Sequence, residues 1–235
     1  MTLKAILFDL DGTLVNSLRL FPQLIAQEFM ETPTRGKVKK YLRRLGTFYN
    51  VKQNGVWYKH SWFTVQLFRG IKADFKISWI RLLSGLSRVI WQFLKWDQEI
   101  HVFPEVPYIL QKLKQRGFKL AIVSNGSPRL LEKRFAPYLH FFDVLVDSKT
   151  IGHWKPSPVP IYYAIKKLGV SVNEVIFIGD TIVDLLAAKQ AGVKVILVKT
   201  GVFGLPPIAE VNYRPIAVIS AVGKEILNIV TVPKK

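Results

Sequence analysis

Cysteine is absent from the chain, which excludes a disulfide framework and any thiolate metal site. Acidic residues are scarce, 16 against 34 Lys and Arg, for a formal net charge of +18. That excess calls for an anionic partner without naming one. No apolar run is long enough to cross a bilayer, because Arg81, Arg88 and Lys95 interrupt the most hydrophobic candidate. Internal repeats, low-complexity tracts, a P-loop and a dinucleotide glycine fingerprint are all missing. The first residues pass almost at once into an apolar run, leaving no space for a cleaved leader, so a cytoplasmic address is expected.

What is present begins with FDLDGTLV at residues 8–15. Asp9 and Asp11 follow the apolar segment Leu3 to Phe8, and a glycine and a threonine come next. Two carboxylates one residue apart at the end of a buried strand raise each other's pKa unless a cation neutralises them. A bound divalent metal is the simplest remedy, and the pair suits a nucleophile beside a proton donor.

Three more segments place polar groups just beyond apolar runs. Lys119 to Val123 leads into Ser124-Asn125-Gly126. Val175 to Ile178 leads into Gly179-Asp180-Thr181, with Asp184 one helical turn on. Between them, Lys155-Pro156 follows the run Val144 to Val146. In open parallel α/β sheets ligands bind outside the carboxyl ends of the strands, so the four segments predict one crevice. With no Cys or His nearby, oxygen ligands favour Mg²⁺ over zinc.

In these residues the chain resembles the haloacid dehalogenase superfamily, specifically its phosphoglycolate phosphatase-like branch, whose helical cap is inserted after the first motif. The resemblance covers residues 1–15 and about 101–235; between them the match is one of position only. It implies that Asp9 attacks phosphorus to form an aspartyl-phosphate, and that Asp11 protonates the leaving oxygen and later activates water. Ser124 and the Asn125 amide would hold phosphoryl oxygens, and Lys155 would neutralise nucleophile and phosphoryl charge. Mg²⁺ would sit on Asp9, the Asp11 backbone carbonyl and Asp180, with Asp184 orienting metal-bound water or Lys155. The implied substrate is a small phosphorylated metabolite, and the implied reaction is hydrolysis. A phosphomutase of the same family is the nearest alternative. A dehalogenase fits less well, because the family's dehalogenases lack an acid at the place of Asp11.

Each residue also has a plainer reading. Ser124 and Asn125 suit a strand-to-turn cap, and Asn125-Gly126-Ser127 matches a glycosylation sequon. Lys155 is one of 34 basic residues. Asp180 suits a helix N-cap, and Asp184 the first turn of that helix. Only the ordered recurrence of all four segments outweighs these readings.

The expected fold is α/β, a Rossmann-like parallel sheet core formed by residues 1–15 and 101–235, with residues 16–100 an inserted, mostly helical cap domain. Helices are expected over Glu105 to Arg116, Pro128 to Phe135, Pro158 to Leu168, Ile182 to Ala191 and near Ala221 to Val230. Strands are expected at Val193 to Lys199 and Ala217 to Ser220, and Gly201 to Pro207 reads as a surface loop. The cap segment holds five of the six tryptophans and fifteen basic residues against five acidic ones, +10 of the total charge. Within it, Ile77, Ile80, Leu83, Leu86, Ile90, Phe93 and Leu94 follow a helical period and are expected to form the packing face. Residues 46–63 read as a loop or small hairpin. Basic residues from Arg35 to Arg44 would steer phosphate, and aromatics near Trp57 to Trp62 would contact the leaving group. Basic residues interleaved with aromatics could bind nucleic acid, with the phosphatase core idle, or lie on an anionic membrane surface; the favoured reading is that the aromatics form the cap's core and the lysines and arginines its solvated face.

Overall fold

The computed structural model describes residues 2–16, 21–30, 69, 71–73, 75–95, 101–126, 135–201, 205 and 208–230. Contacts divide the chain into one unit of Met1–Ser17 with Ile100–Lys235 and a second of Leu18–Glu99 inserted within it.

The first unit is built on six parallel strands: β1 (Ala5–Phe8), β2 (Lys119–Ser124), β3 (Val144–Asp147), β4 (Val175–Gly179), β5 (Lys194–Val198) and β6 (Ala217–Ile219). Their spatial order is β3-β2-β1-β4-β5-β6, the Rossmann-like arrangement in which chain order reverses beside β1. All four residues of β1 and all five of β4 are buried, as expected of strands covered on both faces.

Alternation along each strand sorts side chains between two layers. Ile6, Phe8, Leu120, Ile122, Ile176, Ile178 and Ile196 join Val106, Ile109, Leu110 and Leu113 of α3 (Val106–Gln115) and Ile226 of α6 (Lys224–Ile229) in one core. Against the sheet also pack α4 (Val159–Leu168) and α5 (Ile182–Ala191). Those expected elements that fall within the described residues are therefore present, with small differences at their ends. The last helix begins at Lys224 rather than near Ala221, the residues Ser220 to Gly223 forming bends ahead of it. The helix expected over Pro128 to Phe135 falls largely outside the described residues.

In the inserted unit, α1 (Phe21–Phe29) packs on α2 (Trp79–Lys95). Leu24 and Ile25 of α1 meet Leu82, Leu86 and Val89 of α2, together with Ile71. A Cβ at Gly85 would overlap the Phe29 ring, so the close approach depends on glycine there. Glu28 accepts from Arg81 Nη1 and Arg88 Nη2, each at 2.6 Å, tying the two helices at their polar edge.

One expectation is corrected. The helix exists, and Leu86 and Ile77 pack as expected, but Ile80, Leu83 and Ile90 are exposed, and the buried stripe is Leu82, Leu86 and Val89. Both stripes have helical spacing, so periodicity identified the helix without choosing the side that α1 covers. Arg35 to Arg44, residues 46–63 and Trp57 to Trp62 lie outside the described residues. No described helix is long and apolar enough to cross a membrane.

Phe118, 1% exposed, immediately precedes β2 and packs in the core at the opposite end of that strand from Ser124. Phe118→Ala should cost about 3–5 kcal/mol. Urea unfolding should show a lower midpoint with an unchanged slope.

Candidate active site

The reversal of strand order places the ends of β1 and β4 side by side. Asp9 follows β1 and Asp180 follows β4; the Asp9 amide donates to the Ile178 carbonyl at 2.8 Å. Ser124 ends β2, and Asn125 and Gly126 turn away from it. Lys155 arrives from the connection after β3, and Asp184 from the first turn of α5. The sheet edge thus gathers residues separated by up to 175 positions.

Lys155 is the hub. Its buried Nζ donates to Asp9 Oδ1 at 2.6 Å and to Asp184 Oδ1 at 2.7 Å. The Phe177 ring centroid lies 5.3 Å from the same nitrogen. Carboxylate oxygens of Asp9, Asp180 and Asp184 lie within 4.8 Å of one another. Asp184 is held by its other oxygen, which accepts from the Thr181 amide at 2.9 Å and the Thr181 hydroxyl at 2.6 Å. Both of its oxygens are therefore engaged, one with the helix start and one with Lys155. Asp180 Oδ1 accepts from the Thr13 hydroxyl at 3.1 Å.

Glycines make this crowding sterically feasible. A Cβ at Gly179 would stand 2.6 Å from Asp184 Cβ, and one at Gly12 would stand 2.5 Å from Asp180 Oδ2. Gly12 also has φ +84°, a left-handed conformation that glycine adopts without penalty. The start of the loop expected over Gly201 to Pro207 proves to belong here, since a Cβ at Gly201 would also overlap Asp180.

Asp11 is not one of the three acids whose oxygens converge within 4.8 Å, but it acts on Asp9 electrostatically. A Cβ built at Gly126 would be 3.2 Å from Asp11 Oδ2 and 3.6 Å from Ser124 Oγ, so these groups border one small space. Ser124 Oγ accepts the Gly126 amide at 3.0 Å. The Asn125 side chain points elsewhere. Its Oδ1 accepts the Lys155 amide at 2.7 Å and the Ser148 hydroxyl at 3.1 Å, while Nδ2 donates to the Lys155 carbonyl at 2.9 Å. Asn125 thereby reads both backbone groups of the residue that carries the ammonium.

Among the described residues, the buried charges are Asp9, Asp180, Asp184 and Lys155. Fully ionised, three carboxylates and one ammonium leave a net charge of −2. Burial, opposed by Lys155 and reinforced by Asp184 and Asp11, pushes Asp9 from its ordinary 3.8 to about 7. Burial first, then Asp9 and Asp184, lifts Asp180 well above the carboxylate range. Burial alone would weaken the Lys155 ammonium, but Asp184 and Asp9 outweigh it and raise its pKa. A divalent cation fits this set: it balances the charge, and the donors are hard carboxylate oxygens with neither sulfur nor imidazole among them.

Sequence reasoning passed over Thr181, Ser148 and Phe177, and gave Thr13 no role. Thr181 alone carries a readable signal, a hydroxyl residue three positions before an acid at the head of an apolar run. Thr13, Ser148 and Phe177 acquire their partners only through long-range folding.

The haloacid dehalogenase-like hydrolase family matches residues 3–192 of the chain. A phosphoglycolate phosphatase of Aquifex aeolicus is 31% identical over 207 residues, covering 85% of this chain and 86% of that protein. The pyrophosphatase PpaX of Bacillus cereus is 27% identical over 201 residues, with 83% and 82% covered. The crystal structure of the L-2-haloacid dehalogenase RSc1362 superposes with a TM-score of 0.69 at 22% identity, covering 98% of this chain and 99% of that one. The chain belongs to the haloacid dehalogenase-like hydrolases.

The carboxylate cluster makes the stability dependent on pH. Between about pH 4 and about pH 7 the folded chain retains a proton on Asp9 that the unfolded chain releases, so without metal its stability falls as pH rises across that window. Mg²⁺ should offset the loss. The increase in thermal midpoint on adding Mg²⁺ should be larger at pH 8 than at pH 5, and Asp180→Asn should shrink it.

Proposed function

We propose that the protein is a Mg²⁺-dependent phosphatase that hydrolyses a small phosphate monoester through an aspartyl-phosphate on Asp9. The observation that carries this reading is the buried Lys155 ammonium shared by Asp9 and Asp184, with Asp180 alongside, at the carboxyl ends of β1 and β4. Phosphoryl transfer asks chiefly for positioning and charge neutralisation, and this cluster offers both.

Asp9, Asp180 and the Asp11 main-chain carbonyl are the groups that would hold Mg²⁺. When bound, the ion would neutralise the carboxylate excess and the charge of the phosphoryl oxygens. Asp9, which the cluster otherwise holds protonated up to about pH 7, would be ionised beside such a charge. In the first step an Asp9 carboxylate oxygen bonds to phosphorus as the ester P–O bond breaks, and Asp11 gives its proton to the departing oxygen. In the second step Asp11, now ionised, takes a proton from water as the water oxygen attacks phosphorus. The Asp9–phosphorus bond breaks, releasing inorganic phosphate and regenerating Asp9. Lys155 remains charged throughout, offsetting the phosphoryl charge. Ser124 Oγ and the main-chain amide of Asn125 hold phosphoryl oxygens. The Asn125 side chain sets the Lys155 backbone, so its contribution to phosphate binding comes from the amide alone.

The relatives' names direct the choice of substrates: phosphoglycolate and pyrophosphate come first. Asp9→Asn should abolish phosphate release from every ester while leaving the thermal midpoint within a few degrees. Asp11→Asn should lose roughly 10²–10⁴-fold, most for poor leaving groups and least for an activated aryl phosphate. Near-normal turnover by pure Asp9→Asn protein would rule the mechanism out. Asn125→Ala frees the Lys155 backbone and should lower kcat by up to about 10²-fold, with KM changing less. A parallel, smaller loss in Ser148→Ala would trace the effect to this clamp.

A further inference from the structure

The inserted unit carries an apolar surface that its own packing leaves outside. On α2, Ile80 is 82% exposed, Leu83 59%, Ile90 49% and Trp79 47%. Spacings of three, four and seven residues put these side chains on one flank of the helix, beside the stripe of Leu82, Leu86 and Val89 that α1 covers. Scattered exposed hydrophobics are ordinary on protein surfaces, but a contiguous row along one helix marks an interaction site. Arg81 and Arg88 lie on the opposite flank, engaged by Glu28. Lys72 reaches back over the Trp79 ring, its Nζ 5.6 Å from the ring centroid, and Lys76 is exposed just before the helix.

We propose that this face of α2 docks on an anionic lipid surface. Aliphatic side chains with a tryptophan on one face and basic residues around them are the pattern by which a helix lies in a membrane interface. Charge selects the lipid. Residues 18–99 hold fifteen basic residues against five acidic ones, so a surface of negative potential attracts the unit over a Debye length while the apolar row adds short-range burial. The same balance disfavours a second copy as occupant, because each copy would bring its own positive excess to the contact. Nucleic acid shares the attraction to basic residues and would gain from stacking on the exposed rings of Trp79 and Trp91, but the rest of the row, Ile80, Leu83 and Ile90, is aliphatic and offers a base no ring.

The test uses the full chain and sedimentation with vesicles of phosphatidylcholine alone or mixed equally with phosphatidylglycerol. Wild-type protein should sediment with the mixed vesicles and remain in solution with phosphatidylcholine alone. Binding should weaken as salt rises from about 0.1 M to about 1 M, where screening shortens from about 10 Å to about 3 Å. Ile80→Gln combined with Leu83→Gln should weaken binding about tenfold or more. Both positions are on the surface, so its thermal midpoint should match wild type, and Ile90→Gln gives an independent variant of the same face. Failure of the wild type to bind mixed vesicles would overturn the proposal. So would unchanged binding in both variants, which would leave basic attraction elsewhere as the whole effect. A wild-type dimer that the same substitutions dissociate would assign the face to self-association instead.

Discussion

The buried ammonium of Lys155 is the interaction on which the rest of the site depends. Without it Asp9 and Asp184 would face each other and Asp180 as uncompensated buried anions, and like charges within 4.8 Å in a crevice cannot all ionise. With it, two carboxylates gain a charged donor at 2.6 and 2.7 Å, and the cluster is still two negative charges out of balance. That remainder is the charge that the proposed cation would balance. Together with burial it raises the pKa of Asp9 to about 7, so the proposed nucleophile lies between protonated and ionised forms near neutral pH.

The fold serves this arrangement by holding backbones rather than side chains alone. Asp9 and Asp180 leave adjacent strands whose ladder brings Phe8 opposite Ile178. Lys155 comes from a connection with no strand of its own, and the bidentate grip of Asn125 on its amide and carbonyl replaces the missing ladder. Thr181 and Thr13 restrain Asp184 and Asp180 in the same way. Glycines at 12, 179 and 201 admit the carboxylates where any Cβ would displace them. A shell of small and hydroxyl-bearing residues is thus as necessary as the charges it positions.

The inserted unit follows different physics. Its helices meet through Leu24, Ile25, Leu82, Leu86 and Val89, with Glu28 balancing two arginines at the edge. An apolar arc wider than one neighbour can cover leaves α2 with a second, outward row. The proposed lipid contact therefore rests on the inserted unit's residues alone, and the proposed phosphate chemistry on those of the core.

Much of the core was legible in the sequence because its signals are local. Buried parallel strands require uninterrupted apolar runs, and Leu3 to Phe8, Lys119 to Val123 and Val175 to Ile178 announced three of them; the polar residues after each had to share an edge once the strands were parallel. Asp9, Asp11, Ser124, Asn125, Lys155, Asp180 and Asp184 were all readable as candidates for that reason. The sequence by itself thus determined the α/β class, the strand ends and the chemical character of the crevice. Only the tertiary structure decided that Asn125 spends its side chain on the Lys155 backbone, that Thr13 and Phe177 serve Asp180 and Lys155, and that Gly201 closes on the same carboxylate. It also decided that α2 buries Leu82, Leu86 and Val89 while Ile80 and Leu83 face outward. Those choices depend on which surfaces meet across long separations in the chain, and neither spacing nor hydropathy encodes a neighbour that folding alone supplies.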